Sequence, residues 1–194
     1  MKLLTAIVLL FSTLDWCTAA EEGPKQYIDK APSGRYSIVQ RYVEPKDSEN
    51  NLDFGAWEAV LRFSDKTKPN ATLAADPDRY YWPAHYLISP DEQWILRLQK
   101  TGSGENCALL YHVNPNGQVW RLEQHLDDLA FLLSTAGARL FRNNYYHIGV
   151  RLVSWDTKSG LLHLTISASP ENKANPPIDR LVVYDLGKNE MIAE

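Results

Sequence analysis

Period-two alternation of apolar and polar residues runs through most of this chain, and it restricts the fold to strands with one face in a core. Tyr36, Ile38, Gln40 and Tyr42 fall on one face of a strand. Trp57, Ala59, Leu61 and Phe63 share a face of the next, with Glu58, Arg62 and Ser64 between them. Trp94, Leu96 and Leu98 alternate with Arg97 and Gln99. Cys107, Leu109, Tyr111 and Val113 follow, and Asn114-Pro115-Asn116-Gly117 is a turn sequence that returns the chain through residues 118–123. Later come Ile148, Val150 and Leu152, then Leu162, Leu164 and Ile166. A last hairpin spans 180–185 and closes through Met191 and Ile192.

The alternation repeats as three loosely spaced units. Residues 34–40, 92–98 and 159–165 each form a strand entered through small or polar residues, and each leads to a second strand and a polar turn, at 56–68, 106–117 and 178–189. The expected fold is therefore all-β, mainly antiparallel β-meanders, arranged as a propeller-like stack or a sandwich. One short amphipathic helix is expected near 125–136. There Leu126, Leu129, Ala130 and Leu133 recur at helical spacing, Asp127 and Asp128 suit the positive end, and Gly137 suits the stop. Residues 44–55 and 68–85 read as long loops. From their phase, Trp57, Trp94, Leu96, Leu109 and Leu164 are expected in the core.

The stretch Ile88-Ser89-Pro90-Asp91-Glu92-Gln93-Trp94-Ile95-Leu96-Arg97-Leu98, with Leu109-Leu110-Tyr111-His112-Val113 and Gly117-Gln118-Val119-Trp120-Arg121-Leu122 after it, resembles a blade of the TolB-like β-propellers. In that family a Ser-Pro-Asp-Gly turn feeds the core strand. Glu92 here stands where the family prefers glycine. The resemblance covers residues 88–122, implies a binding scaffold and brings no catalytic residues with it.

Residues 3–14 are apolar apart from Thr5, Ser12 and Thr13, follow Met1-Lys2 and are too few to span a bilayer, which takes about 20 apolar residues. With the small residues Thr18-Ala19-Ala20 they read as a signal peptide over 1–20, cleaved before Glu21. Asp15 and Trp16 precede Cys17, where a lipid-attachment site wants small residues, so no lipid anchor is expected. The remaining residues, 21–194, are expected to form a single β-rich domain, exported to the periplasm or secreted, with no membrane span. Their acidic balance argues against nucleic acid as a partner: the chain carries 20 basic and 24 acidic residues. Only Cys107 follows the signal, so no internal disulfide can form, and its strand-like context predicts a buried thiol.

Chemistry-bearing motifs are sparse. His85, His112, His125, His147 and His163 show no metal-ligand spacing, and His125 with Glu123 and Asp128 fits the polar start of a helix better than a ligand set; no metal and no cofactor are expected. The outstanding feature is aromatic: Tyr80-Tyr81-Trp82-Pro83-Ala84-His85-Tyr86 in one loop and Asn143-Asn144-Tyr145-Tyr146-His147 before a strand. Rings beside amide and imidazole groups suit recognition of a sugar, a peptide or a protein surface. Trp82, His85, Tyr145 and Tyr146 are accordingly the expected ligand-binding residues of a non-catalytic binding protein. A plug over the open end of the core explains the same rings. Two other functions remain open: a hydrolase of envelope or extracellular polymers, using carboxylates among Asp76, Asp78, Asp127 and Asp128, and an assembly subunit that pairs a free sheet edge with a partner.

Overall fold

The computed structural model describes residues 26–44, 55–73, 81–135, 142–158 and 160–193. The expected signal peptide and its cleavage site, Cys17, Asp76, Asp78, Tyr80 and Gly137 all lie outside the described residues. The protein is mostly β, with three antiparallel four-stranded sheets and one short helix. Sheet A contains β1 (Gln26–Lys30), β2 (Tyr36–Val43), β3 (Ala56–Phe63) and β4 (Ala71–Thr72). Sheet B contains β5 (His85–Ile88), β6 (Trp94–Gly102), β7 (Glu105–Val113) and β8 (Val119–Arg121). Helix α1 (Leu126–Ser134) and a 3-10 turn at Arg142–Asn144 lead to sheet C, which contains β9 (Tyr145–Asp156), β10 (Leu161–Pro170), β11 (Ile178–Asp185) and β12 (Glu190–Ala193). Each sheet pairs strands in the order of the chain, so each is a meander. The three repeated units of the sequence are the central strand pairs, β2–β3, β6–β7 and β10–β11. The flanking strands complete the sheets, and β4 runs through part of what reads as the 68–85 loop.

Sheet B is the middle layer. Leu96, Ala108 and Leu110 on one of its faces pack with Val150, Leu162, Leu164, Ile166 and Tyr184 of sheet C and with Leu126, Ala130 and Phe131 of α1. Ile95, Leu109, Tyr111 and Val113 on the other face pack with Tyr36, Ile38, Leu61 and Phe63 of sheet A. Two cores result, one on each side of sheet B, in a stack of three meanders. Leu96, Leu109 and Leu164 are fully buried, as their phase requires, and Cys107 is buried as well. Removing a methyl-rich side chain such as Leu164 from so close-packed a site costs about 2–5 kcal/mol.

Four residues depart from the burial their strand phase suggests, two of them because sheet B is covered on both sides. Arg97 and Gln99 occupy the polar phase of β6, yet they are buried against sheet A. Their charge and amide are met internally: Arg97 donates to Gln99 Oε1 at 2.7 Å and to the Leu73 carbonyl at 3.0 Å, with its guanidinium 5.7 Å from the Tyr86 ring centroid. Trp94 is half-buried because it lies at the end of β6, where it stacks on His112 (4.5 Å between centroids) and Trp120. Trp57 is half-buried too, at the opening of β3, in a ring cluster with Tyr27 and Tyr42.

Polar side chains join the layers. Gln40 of β2 donates to the Ala84 carbonyl and accepts from the Ala84 N–H, both at 2.9 Å, linking sheet A to the entrance of β5. Asn106 of β7 does the same for Val150 of β9, accepting at 2.9 Å and donating at 3.1 Å. Glu92 sits at φ +58°, a left-handed conformation that favours glycine. Its side chain supplies what glycine cannot: the carboxylate accepts from the Ser33 N–H and hydroxyl and pairs with Arg35, tying the β1–β2 turn to the β5–β6 turn.

Candidate functional site

The segment carrying Trp82 is held from both sides by buried amides. Gln99 Nε2 donates to the Trp82 carbonyl at 2.9 Å, and Gln40 grips Ala84 two residues later. The backbone is thus fixed while the indole stays 39% exposed, resting against Lys100, whose Nζ lies 4.7 Å from the ring centroid. His85 opens β5 and is exposed. Nearby Asp29 of β1 has its carboxyl pushed up by burial, an effect opposed by its hydrogen bond with Gln40 and by the charge of His85.

At this end of sheet B, His85 of β5 and Lys100 of β6 stay exposed beside β9 and leave a gap. The gap is a groove of about 490 Å³. Pro83, His85, Leu98 and Lys100 form one side; Gly149, Arg151 and Ser167 form the other; Gly102, Gly104, Glu105 and Asn106 of the β6–β7 hairpin close the end. Its size falls within the roughly 300–1,000 Å³ of ordinary ligand sites. Lys100 and Arg151 are both exposed, and among the described residues neither has a carboxylate partner.

A bulge governs the other aromatic segment. Between Ser167 and Ser169 of β10 the register of β9 steps from Gly149 to Tyr146, so His147 and Ile148 oppose a single residue. His147 takes φ +52° there, its N–H donating to Glu105 Oε1 at 3.0 Å. Gly104, at φ +73°, leaves room for the imidazole, since a Cβ on it would lie 3.2 Å from that ring. The bulge resets the alternation, so Ile148 and Tyr145 both face inward while Tyr146 is exposed. Tyr145 is therefore a core residue: 5% exposed, it packs on Phe131 at 5.4 Å and donates its hydroxyl to the Pro176 carbonyl. Of the four expected residues, His85 lines the groove, Trp82 flanks it through Lys100, and Tyr146 stacks on His147 next to the Gly104–Glu105 turn. Lys100, Arg151 and Glu105 were not singled out in the sequence, where isolated charges on strands look like solvated surface.

A second hollow, of about 500 Å³, lies along α1 and is lined by His125, Asp128, Leu129, Leu132 and Arg142 among others. His125, Asp127 and Asp128 bring ligand atoms within 4.8 Å of one another. Their countercharge is already supplied. Arg142 donates to Asp127 at 2.9 Å and pairs with Asp128 at 2.8 Å. Asp127 points inward, 1% exposed, and accepts the Ala108 N–H at 2.8 Å, a group on β7 beyond the reach of β8. Burial pushes the Asp127 carboxyl up, and the Ala108 bond and the Arg142 charge pull it down.

Compared with known proteins, the chain matches no family model and no curated protein. Among the described residues no helix is long and apolar enough to cross a membrane.

Proposed function

We propose that this is an exported, non-catalytic binding protein that takes its ligand in the groove between sheets B and C. The observation that carries this reading is an exposed indole on a backbone fixed by Gln40 and Gln99 at the mouth of a ligand-sized groove. A ring that only plugged a core would be covered. A ring held rigidly in solvent gives contact area at low entropic cost. Export rests on the signal-like features of residues 1–20.

The hydrolase reading has less support. Asp127 does not line the hollow beside it, and its oxygens are engaged by Ala108 and Arg142. The assembly reading is weakened along β9, the longest edge strand: its His147 N–H and both backbone groups of Val150 are engaged by side chains of β7.

Trp82→Ala separates a site from a plug. Urea unfolding of the variant should show a loss below about 1 kcal/mol, as for a surface position, while retention on glycan and peptide arrays disappears. A loss of several kcal/mol would identify the ring as a plug and overturn the reading.

A further inference from the structure

The groove's lining also points to a class of ligand, an inference that rests on the binding reading above. Lys100 reaches it from β6 and Arg151 from β9, so two cations from different sheets face one space without a described carboxylate partner. Glu105 lies in the same lining. Lys100 and Arg151 against Glu105 leave one positive charge in excess among these three groups, which suits a single carboxylate better than a dianionic phosphate. The remaining lining mixes apolar carbon surface with a few polar groups and main chain. Ser167 and His85 can donate or accept, Glu105 accepts, and three glycines bring main chain to the surface; Leu98 and Pro83 are the apolar contributions. Such a mixture matches a ligand rich in hydroxyl groups. It matches a peptide poorly, because the β9 edge along which a peptide strand would add is engaged by Asn106 and Glu105.

We infer that the groove binds an acidic saccharide, with a uronic-acid carboxylate held between Lys100 and Arg151 and the sugar ring lying beside Trp82. Arg151 is the orienting partner, since its planar fork can bond both carboxylate oxygens, and Lys100 acts as a point charge.

Isothermal titration calorimetry on the full mature chain tests this with trigalacturonate, the neutral maltotriose and inorganic phosphate as probes. Trigalacturonate should bind, maltotriose should bind at least about tenfold more weakly, and phosphate alone should give no saturable heat. Lys100→Met and Arg151→Met should each weaken trigalacturonate about tenfold or more, as loss of a charge-assisted bond does, and higher salt should weaken it further. Both residues are exposed, so the variants should fold; Lys158→Met, on the β9–β10 turn, is the charge-matched control and should bind normally. Equal affinity for maltotriose, tight binding of phosphate, or unchanged affinity in both variants would overturn the acidic-saccharide inference while leaving the groove a binding site. Absence of heat with either saccharide overturns it as well, and the separate Trp82→Ala comparison then decides whether the groove binds anything.

Discussion

Gln40 is the residue whose replacement reports most directly on how sheet A holds the candidate site in place. Its amide is 3% exposed and makes two 2.9 Å bonds to Ala84, which lies between Trp82 and His85. Gln40→Leu keeps the approximate shape but strands a buried N–H and a buried carbonyl. Each stranded group costs about 1–3 kcal/mol, and the added apolar contact offsets part of that, so the expected loss in urea unfolding is about 2–4 kcal/mol. Gln40→Glu refines the test. A protonated carboxyl still offers one donor and one acceptor to Ala84, whereas the ionised form turns an oxygen toward the Ala84 carbonyl and toward Asp29, which accepts from Gln40 at 3.5 Å. The folded protein therefore raises the introduced carboxyl above its unfolded value of about 4.3. Its stabilising contribution is complete below that pH and is lost as the pH rises through the folded value. The variant should match the parent near pH 4 and fall behind it by pH 7. A Gln40→Leu loss below about 1 kcal/mol, or a Gln40→Glu loss independent of pH, would refute the idea that this amide joins the sheets.

Two further outcomes are expected. Glu92→Gly relieves a left-handed backbone, a gain of about 1 kcal/mol, but removes the carboxylate bonds to Ser33 and Arg35; differential scanning calorimetry should show a net fall in Tm, and a rise would show that the tie contributes little. His112 is held below its ordinary value by desolvation, partly opposed by the Asp91 charge, so the stability it contributes is complete above about pH 6.5 and is lost as the pH falls through the depressed folded value. Unfolding midpoints should drop between pH 7 and 5, and the drop should be shallower in His112→Leu; equal slopes would remove His112 as the cause.

The central strand pair of each sheet was legible because two neighbouring strands with one shared apolar face write an unmistakable period of two. β1, β4 and β5 were not, since edge strands of two to five residues carry too few alternations to register. Alternation also cannot tell a strand with one covered face from one with two. Arg97 and Gln99 therefore looked solvated, although sheet A lies over them. Composition marked the segments around Trp82 and Tyr145 alike; it could not place Tyr145 in the core, because a single bulge residue, His147, inverts the phase of everything before it. The groove itself has no linear signature: Lys100 and Arg151 are 51 positions apart and meet only because β9 packs against β7.

Strand order that follows chain order has a kinetic consequence. Every strand pairing in the three sheets is between consecutive strands, so each sheet pairs only neighbours along the chain and can form without waiting for the others. What comes late is docking, when Ile95 and Leu109 on one side of sheet B and Leu96 and Leu110 on the other lose their water. The middle sheet, once formed, is thus the most aggregation-exposed intermediate of the chain, apolar on both faces until its two neighbours arrive.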